Sequence, residues 1–234
     1  RVNIAAKNLA ILIYIMRMVC SIIQNPAIPS DIMEHHFHEI VPAIISCILS
    51  PELCSKHFEE NHWALRIYSA KLICNLCNNY EGVIPHLRGN IIELIKTSIT
   101  SVLDSVNVDN DTFEMTSKDD KYDVLTFPFG THFGAFYALS LMPLEFSKTH
   151  LIPITKKLGD FYEALKIQAA KTEHEPLQRD IRKTELQFLQ LLLAILKKDG
   201  ISDLSQMEPI IGKYFVEVIR QHQTTKIEQP NIKS

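Results

Sequence analysis

The chain has 234 residues, of which 46% are hydrophobic and 22% are charged, and its formal net charge is −3. This composition is ordinary for a soluble protein that is large enough to bury a substantial core. Because the net charge is slightly negative, overall electrostatic attraction gives no reason to expect nucleic acid or an anionic membrane as a partner. Five cysteines spread through a chain of this length are typical of the reduced thiols of an intracellular protein.

The first predicted helix covers residues 3–25 and is the most apolar part of the sequence. Lys7 and Arg17 interrupt it, so its longest uncharged run falls short of the roughly 20 residues that cross a bilayer. We therefore interpret it as a buried helix with no membrane contact. Because residue 1 is an arginine and no signal peptide is present, we expect the sequence to begin inside a longer chain.

The remaining predicted elements are also helices, because apolar residues recur every three or four positions and period-two alternation is hard to find. They cover residues 31–50, 61–79, 84–105, 130–142, 148–171, 176–198 and 205–221. Pro176 suits the first turn of its helix, and Ser205 with Glu208 has the spacing of a capping box. The sequence therefore predicts an all-α protein, and its seven scattered glycines exclude a glycine-rich phosphate-binding loop.

Three prolines indicate that the helices repeat. An aliphatic residue precedes each of Pro42, Pro85 and Pro153 near predicted helix starts, and these prolines are 43 and 68 residues apart. The longer interval contains residues 104–128, and removing these 25 residues gives 43 again. A period of about 40 to 47 residues with two helices per unit is typical of HEAT and armadillo arrays. We predict a HEAT-like α-solenoid of about four to five antiparallel helix pairs.

This array forms a single predicted domain over residues 1–223. Residues 104–128 carry seven acidic residues and two lysines, and they lack helical periodicity, which predicts a disordered acidic insertion. A long surface insertion adds little loop-closure entropy and is compatible with a repeated fold. Residues 224–234 are predicted to be a polar tail.

The third predicted helix contains the only tryptophan of the chain, within ENHWALRIYSAKLICNLCNN (60–79). His62, Arg66 and Ser69 fall on a polar face of this helix. We expect Arg66 to bridge to Glu59 or Glu60 in the preceding turn and so to lock neighbouring units together. Five residues spaced 4, 3, 4 and 3 apart form a different stripe that we predict to face the core: Trp63, Ile67, Ala70, Cys74 and Cys77.

The sequence predicts no metal or catalytic site. Cys74 and Cys77 have no second cysteine pair with which to bind zinc, and they fall late in their helix, where a redox dithiol is not expected. His35, His36 and His38 lack the i, i+4 spacing with which a helix presents two imidazoles to one ion, so we interpret them as a solvated helix start. No serine, histidine and aspartate have a diagnostic spacing. We expect no enzyme activity, no cofactor and no small-molecule substrate.

Several segments carry a resemblance: MRMVCSIIQNP (16–26), HEIVPAIISCILSPELCS (38–55), NHWALR (61–66) and, more weakly, THFGAFYALSLM (131–142) with KTHLIPITKK (148–157). Together they resemble the carboxy-terminal HEAT-repeat domain of the sixth TBP-associated factor (TAF) of the general transcription factor TFIID. The family-motif residues are Asn61, His62, Trp63, Ala64, Leu65 and Arg66, with Pro42 and Pro153. The chain departs from the family at Glu60, where an aspartate is usual, and at Tyr137, Ala138 and Pro143.

The resemblance implies a non-enzymatic scaffold that supports assembly of the RNA polymerase II pre-initiation complex in the nucleus. It also implies that a histone-fold domain precedes residue 1. The implied partners are other TFIID subunits and a second copy of this chain, and direct DNA binding is not expected. We expect partner contacts on the surfaces of the second and third helix pairs, without assigning them to residues.

Two other interpretations of the sequence stay open. One is a HEAT-repeat adaptor of a transport or trafficking assembly, which its co-purifying partners would distinguish. The other is a nucleic-acid-binding repeat, whose binding to a duplex would weaken steeply with salt because phosphate neutralisation releases counterions.

Overall fold

The computed structural model describes residues 6–56, 58–104, 106–109, 112–115, 127–172 and 174–227. Its helices are α1 (Leu9–Ile23), α2 (Ser30–Leu49), α3 (His62–Tyr80), α4 (Leu87–Asp104), α5 (Phe129–Leu141), α6 (Leu144–Leu151), α7 (Thr155–Thr172), α8 (Glu175–Lys198), α9 (Leu204–Ile211) and α10 (Lys213–Ile227). Two short strands, β1 (Val106–Asp109) and β2 (Thr112–Met115), follow α4. Within the described ranges, no helix combines the length and apolar character that crossing a bilayer requires.

The helices pack in two layers. Helices α3, α5 and α8 lie side by side in an inner layer, while α2, α4 and α7 pack against them from outside. Helix α1 packs on the α2/α3 pair, and α9 and α10 pack on each other and on α7. Because each pair covers the apolar face of its neighbour, the predicted all-α, HEAT-like solenoid is confirmed for the described residues.

Helix α5 is enclosed on several sides, since it contacts α2, α3, α4, α6 and α8. Its sequence, FGTHFGAFYALSL, is apolar or small nearly all round, as a helix buried on all faces requires. A Cβ atom at Gly130 would lie 2.5 to 2.8 Å from the guanidinium of Arg66, and one at Gly134 would overlap the carbonyl oxygen of Ile48. Glycine at both positions therefore lets α5 approach the carboxyl end of α2 closely.

Side chains cap some of the helix starts. The side chain of His174 accepts a hydrogen bond from the backbone N–H of Leu177 at the start of α8. Pro176 lies in the first turn of α8, as the sequence predicts. The predicted capping role of Ser205 is wrong: Asp203 caps α9 and accepts from the N–H and the hydroxyl of Ser205. A carboxylate two residues earlier is the better acceptor for the free N–H groups of this helix.

Two predicted helices are each divided in the structure. Residues 148–171 contain the end of α6, a 3₁₀ turn at Ile152–Ile154 and most of α7. Pro153 lies in that turn, because a proline has no N–H to donate within an α-helix. Residues 205–221 divide at Gly212, which has a φ of 85° and so ends α9.

The three prolines do not occupy equivalent places. Pro85 lies in the turn before α4, and Pro153 lies just before α7. Pro42 instead lies inside α2. Pro42 has no N–H to donate within the helix. The helix nevertheless continues, because Ile44, Ile45 and Ile48, which follow it, are buried in the core.

The described parts of residues 104–128 contain regular structure, in contrast to the predicted disorder. Strands β1 and β2 pair antiparallel, with Val106 opposite Met115 and Asp109 opposite Thr112. At the other end, Phe127 is buried, because its ring packs on those of Phe129, His132 and Phe161. Residues 110, 111 and 116–126 lie outside the described residues. The tail predicted to begin at residue 224 begins later than expected, because α10 continues to Ile227. Residues 228–234 lie outside the described range.

We expect Gly134→Ala to lower the free energy of unfolding by about 1 to 3 kcal/mol, the usual cost of overpacking, because the new Cβ would meet the backbone of α2. Gly89→Ala is the matched control, since Gly89 lies in α4 and a Cβ there meets nothing within 4 Å. That control should be neutral or stabilise by up to about 1 kcal/mol through helix propensity. Urea denaturation followed by circular dichroism measures both values, and equal effects would contradict the close approach.

Candidate functional site

The segment NHWALR lies where α3 starts, beside the carboxyl end of α2. Asn61 caps α3, because its Oδ1 accepts a hydrogen bond from the N–H of Ala64 at 3.4 Å. Trp63, Leu65 and Arg66 are buried, whereas Ala64 is exposed. The motif therefore consists of a helix cap followed by side chains that face the interior of the array.

Arg66 is fully buried and binds the carbonyl groups that end α2. Its Nη1 donates to the carbonyl oxygen of Ile48 at 2.6 Å, and its Nη2 donates to those of Ser50 at 2.8 Å and Pro51 at 3.3 Å. Its Nε donates to Nδ1 of His62 at 3.2 Å. The last carbonyl groups of a helix have no partner within the helix and carry partial negative charge. A buried cation at this end therefore satisfies both the hydrogen bonds and the helix dipole.

The expected bridge from Arg66 to Glu59 or Glu60 is wrong. Glu59 pairs with the Lys56 amine at 3.0 Å, and Glu60 accepts from the Lys56 N–H at 3.3 Å. Both acids are thus used within their own turn, where they remain solvated. Burial lowers the pKa of Arg66 to about 9, so the guanidinium still carries its charge at neutral pH.

Helix α5 completes this junction. The hydroxyl of Thr131 donates to the carbonyl oxygen of Leu49 at 2.8 Å. The carbonyl groups of residues 48 to 51 are therefore all bound, three by Arg66 and one by Thr131. Gly130 leaves room for the guanidinium against the backbone of α5. We call this set, Arg66 with Gly130, Thr131 and the carbonyl groups of residues 48–51, the arginine junction.

Trp63 joins three inner-layer helices. Its ring meets that of Phe133 of α5 edge-on, with centroids 4.9 Å apart. The amine of Lys183 of α8 lies 4.5 Å from the Trp63 ring centroid and 5.5 Å from that of Phe133. A cation over an aromatic face is attracted by the ring quadrupole. The motif tryptophan therefore connects α3 to both α5 and α8.

The predicted core stripe is buried at Trp63, Ala70 and Cys77, whereas Ile67 and Cys74 are half-buried. The residues of the predicted polar face, His62, Arg66 and Ser69, are also buried. Helix α3 lies between α2 and α5, so it buries two faces rather than one.

The described cysteines are free thiols without features of a reactive site. Burial raises the pKa of Cys47 to about 11 and that of Cys77 to about 12, so both stay protonated and weakly nucleophilic. The thiol of Cys74 donates to the carbonyl oxygen of Leu141 at 3.2 Å. Over the described ranges, no group of three or more His, Cys, Asp or Glu side chains is placed to hold a metal ion.

The outer layer contains an open groove between α2 and α4. Its apolar lining includes Ile45 and Leu49 of α2 and Leu94 of α4, and its polar lining consists of serine, threonine, asparagine and glutamate side chains, with Asn90 and Glu93 among them. Leu94 is 51% exposed. Beneath it, the inner helices α3 and α5 contact each other, whereas α2 and α4 each pack on α5. It is a concave surface between two helix pairs, without an array of catalytic groups.

Comparison with known proteins identifies the family. A family model described as the TAF6 C-terminal HEAT repeat domain matches residues 1–156, about two thirds of the chain. The chain belongs to this family. The TAF6 C-terminal HEAT repeat domain thus accounts for α1 to α6, the arginine junction and the groove between α2 and α4.

Three relatives carry names from the same complex. Transcription initiation factor TFIID subunit 6 of Drosophila melanogaster is 33% identical over 113 residues, covering 45% of this chain and 18% of the relative. The protein of that name from Arabidopsis thaliana is 32% identical over 94 residues, which cover 40% of this chain and 16% of the relative. The "SAGA complex/transcription factor TFIID complex subunit Taf6" of Schizosaccharomyces pombe is 25% identical over 149 residues, which cover 64% of this chain and 27% of the relative. The chain spans less than a third of the length of these relatives.

One buried polar contact joins the TAF6 family region to the helices that follow it, and a second buried group joins those later helices to each other. His132 of α5 is fully buried, and its Nδ1 lies 3.3 Å from the hydroxyl of Tyr162 of α7. Burial lowers the pKa of His132 to about 3. Glu185 of α8 is also buried, where it accepts a hydrogen bond from the Tyr214 hydroxyl and pairs with the Lys166 amine at 2.7 Å. Neither group can be recognised in the sequence, because histidines and acids dispersed along helices have no distinctive spacing.

We expect Arg66→Met to lower the free energy of unfolding by about 2 to 4 kcal/mol, because it leaves the buried carbonyl group of Ile48 and the part-buried ones of Ser50 and Pro51 without their donor, and a buried unsatisfied group costs about 1 to 3 kcal/mol. Arg17→Met, at an exposed arginine of α1, is the control and should change stability by less than about 0.5 kcal/mol. Chemical denaturation measures both variants. A loss below about 1 kcal/mol for Arg66→Met would contradict a structural role for the arginine junction.

Acid should weaken the fold through His132. Its pKa is about 3 in the folded chain and about 6.5 in an unfolded one, so below about pH 6.5 the unfolded chain takes up a proton that the folded chain excludes. Stability should therefore fall as the pH decreases, at up to about 1.4 kcal/mol per pH unit from this group. Urea midpoints at pH 7, 6 and 5 should show a shallower slope for His132→Asn than for the unmodified chain. Equal slopes would show that His132 does not contribute.

Proposed function

We propose that this chain is the HEAT-repeat part of a nuclear, non-enzymatic scaffold subunit of a TFIID-type assembly, where it supports formation of the RNA polymerase II pre-initiation complex. The observation that carries the proposal is the family match over residues 1–156. Relatives from an insect and a plant are named as subunit 6 of TFIID, which supports the same role here.

The arrangement of the family motif favours a scaffold over an enzyme. Its most distinctive side chains, Trp63 and Arg66, are buried and bind backbone carbonyl groups or aromatic rings. They shape the array rather than meeting a substrate. Function is therefore expected on the surface, as in other solenoids. We propose that the groove between α2 and α4 contacts another subunit, which agrees with the expectation of contacts at the second and third helix pairs.

The proposed partners are other TFIID subunits and a second copy of this chain. A second assembly is favoured by one relative, because the Schizosaccharomyces pombe protein is named for both the SAGA complex and TFIID. We propose that the same scaffold also serves in a SAGA-type complex, through the same groove.

The test is affinity purification of the tagged full-length protein that contains this domain, from nuclear extract treated with nuclease. Mass spectrometry should identify TBP and several TAFs, and SAGA-type subunits if the second assembly forms. Leu94→Glu should reduce the yield of at least one subunit by about tenfold, because it places a charge in the groove. Ile167→Glu is the control, since Ile167 is 57% exposed on α7, away from the groove.

Two results would overturn the proposed scaffold role, and a third would overturn only the assignment of the groove as its contact surface. A different stable set of partners would indicate an adaptor of another assembly, as in transport or trafficking. Duplex binding that weakens steeply with salt, without TFIID subunits, would indicate a nucleic-acid-binding repeat. Equal yields from both variants would retain the scaffold role and exclude the groove as its contact surface.

A further inference from the structure

Helix α1 is apolar on two faces. Leu12, Met16, Val19 and Ile23 are buried against α2 and α3. On another face, Ile11, Tyr14 and Met18 are 43%, 68% and 58% exposed. They are spaced three and four residues apart, so they form one stripe about 10 Å long, at 1.5 Å per residue. We call these three residues the α1 stripe.

The outer faces of α10 and α1 differ. Helix α10 buries Phe215 and Ile219 but exposes Lys213, Glu217 and Arg220. Its outer face is therefore polar. Helix α1 lacks such a face, and adjacent large apolar side chains exposed at a rim are typical of a contact surface.

The charges around the α1 stripe indicate what it contacts. The sequence of α1, LAILIYIMRMVCSII, contains one basic residue, Arg17, and no acidic residue. Lys7, just before the helix, pairs with Glu52, whereas Arg17 is in no ion pair within the described part of the chain. The border of the stripe therefore carries an unneutralised positive charge. A symmetric contact with a second copy would bring these like charges into one interface, which is unfavourable.

We infer that the α1 stripe binds an amphipathic helix of a different subunit. That helix would present aliphatic residues at i, i+3 or i+4, and i+7 to Ile11, Tyr14 and Met18, and a carboxylate to Arg17. The inference rests on the proposed function for the existence of the assembly, but it concerns a surface remote in sequence from the groove between α2 and α4. Exposed Tyr14 is the expected anchor, since aromatic residues with one polar end are favoured at protein interfaces.

A site-specific cross-link identifies the occupant. The photoreactive residue p-benzoyl-phenylalanine replaces Tyr14 in the full-length chain, the complex is purified and irradiated, and the linked peptide is sequenced. We expect a peptide from another subunit with aliphatic residues at helical spacing and an adjacent Asp or Glu. The same residue at exposed position Glu217 is the control and should not link to that peptide. A link to a second copy, a link to another segment of the same chain, or no link within an intact complex would each overturn the inference.

Charge variants then test the chemistry of the contact. Tyr14→Glu with Met18→Glu should weaken retention of the linked subunit about tenfold or more, while Ile167→Glu should not. Arg17→Glu should also weaken it, and a lysine in place of the partner's carboxylate should restore retention. Circular dichroism shows whether each variant is folded. Loss of all TFIID subunits from the unmodified chain would refute the proposed function, whereas unchanged retention by the folded stripe variant would refute only this inference.

Discussion

The guanidinium of Arg66, bound to the carbonyl groups that end α2, is the interaction on which the rest of the array depends. The end of a helix leaves carbonyl groups without partners within the helix, and here they lie at a junction that is partly to fully buried. One planar side chain with several donors reaches three of them. The fourth is bound from α5 by Thr131. The positions of α2, α3 and α5 are therefore fixed by one set of hydrogen bonds.

A buried charge without a carboxylate partner is unusual, and its surroundings explain why it is stable here. Several carbonyl dipoles and the negative end of α2 act together where a carboxylate would otherwise be needed. The arrangement also requires space, which the absence of a side chain at Gly130 supplies. Its neighbour Gly134 brings the backbone of α5 against Ile48.

The array continues past the end of the family match without a break in packing. His132 and Tyr162 connect α5 to α7, and Lys183 lies over Trp63. Residues beyond 156 thus contact the family motif itself, although they lie outside the matched region. Helix α10 carries a polar outer face, whereas α1 exposes an apolar stripe. Both surfaces that we propose for partners lie in the matched part of the chain.

The sequence by itself determined that the protein is helical, that its helices pair in a HEAT-like array, and that NHWALR marks a family. These features are local, because a period of three to four residues and a short motif are visible in any stretch of chain. Only the tertiary structure decided what Arg66 binds and which faces of α3 are buried. Backbone carbonyl groups are present at every residue and leave no pattern in the sequence, and a helix between two neighbours buries polar and apolar faces alike. Glu59 and Glu60 were visible as acids near Arg66, but the unsatisfied end of α2 became its partner only after folding.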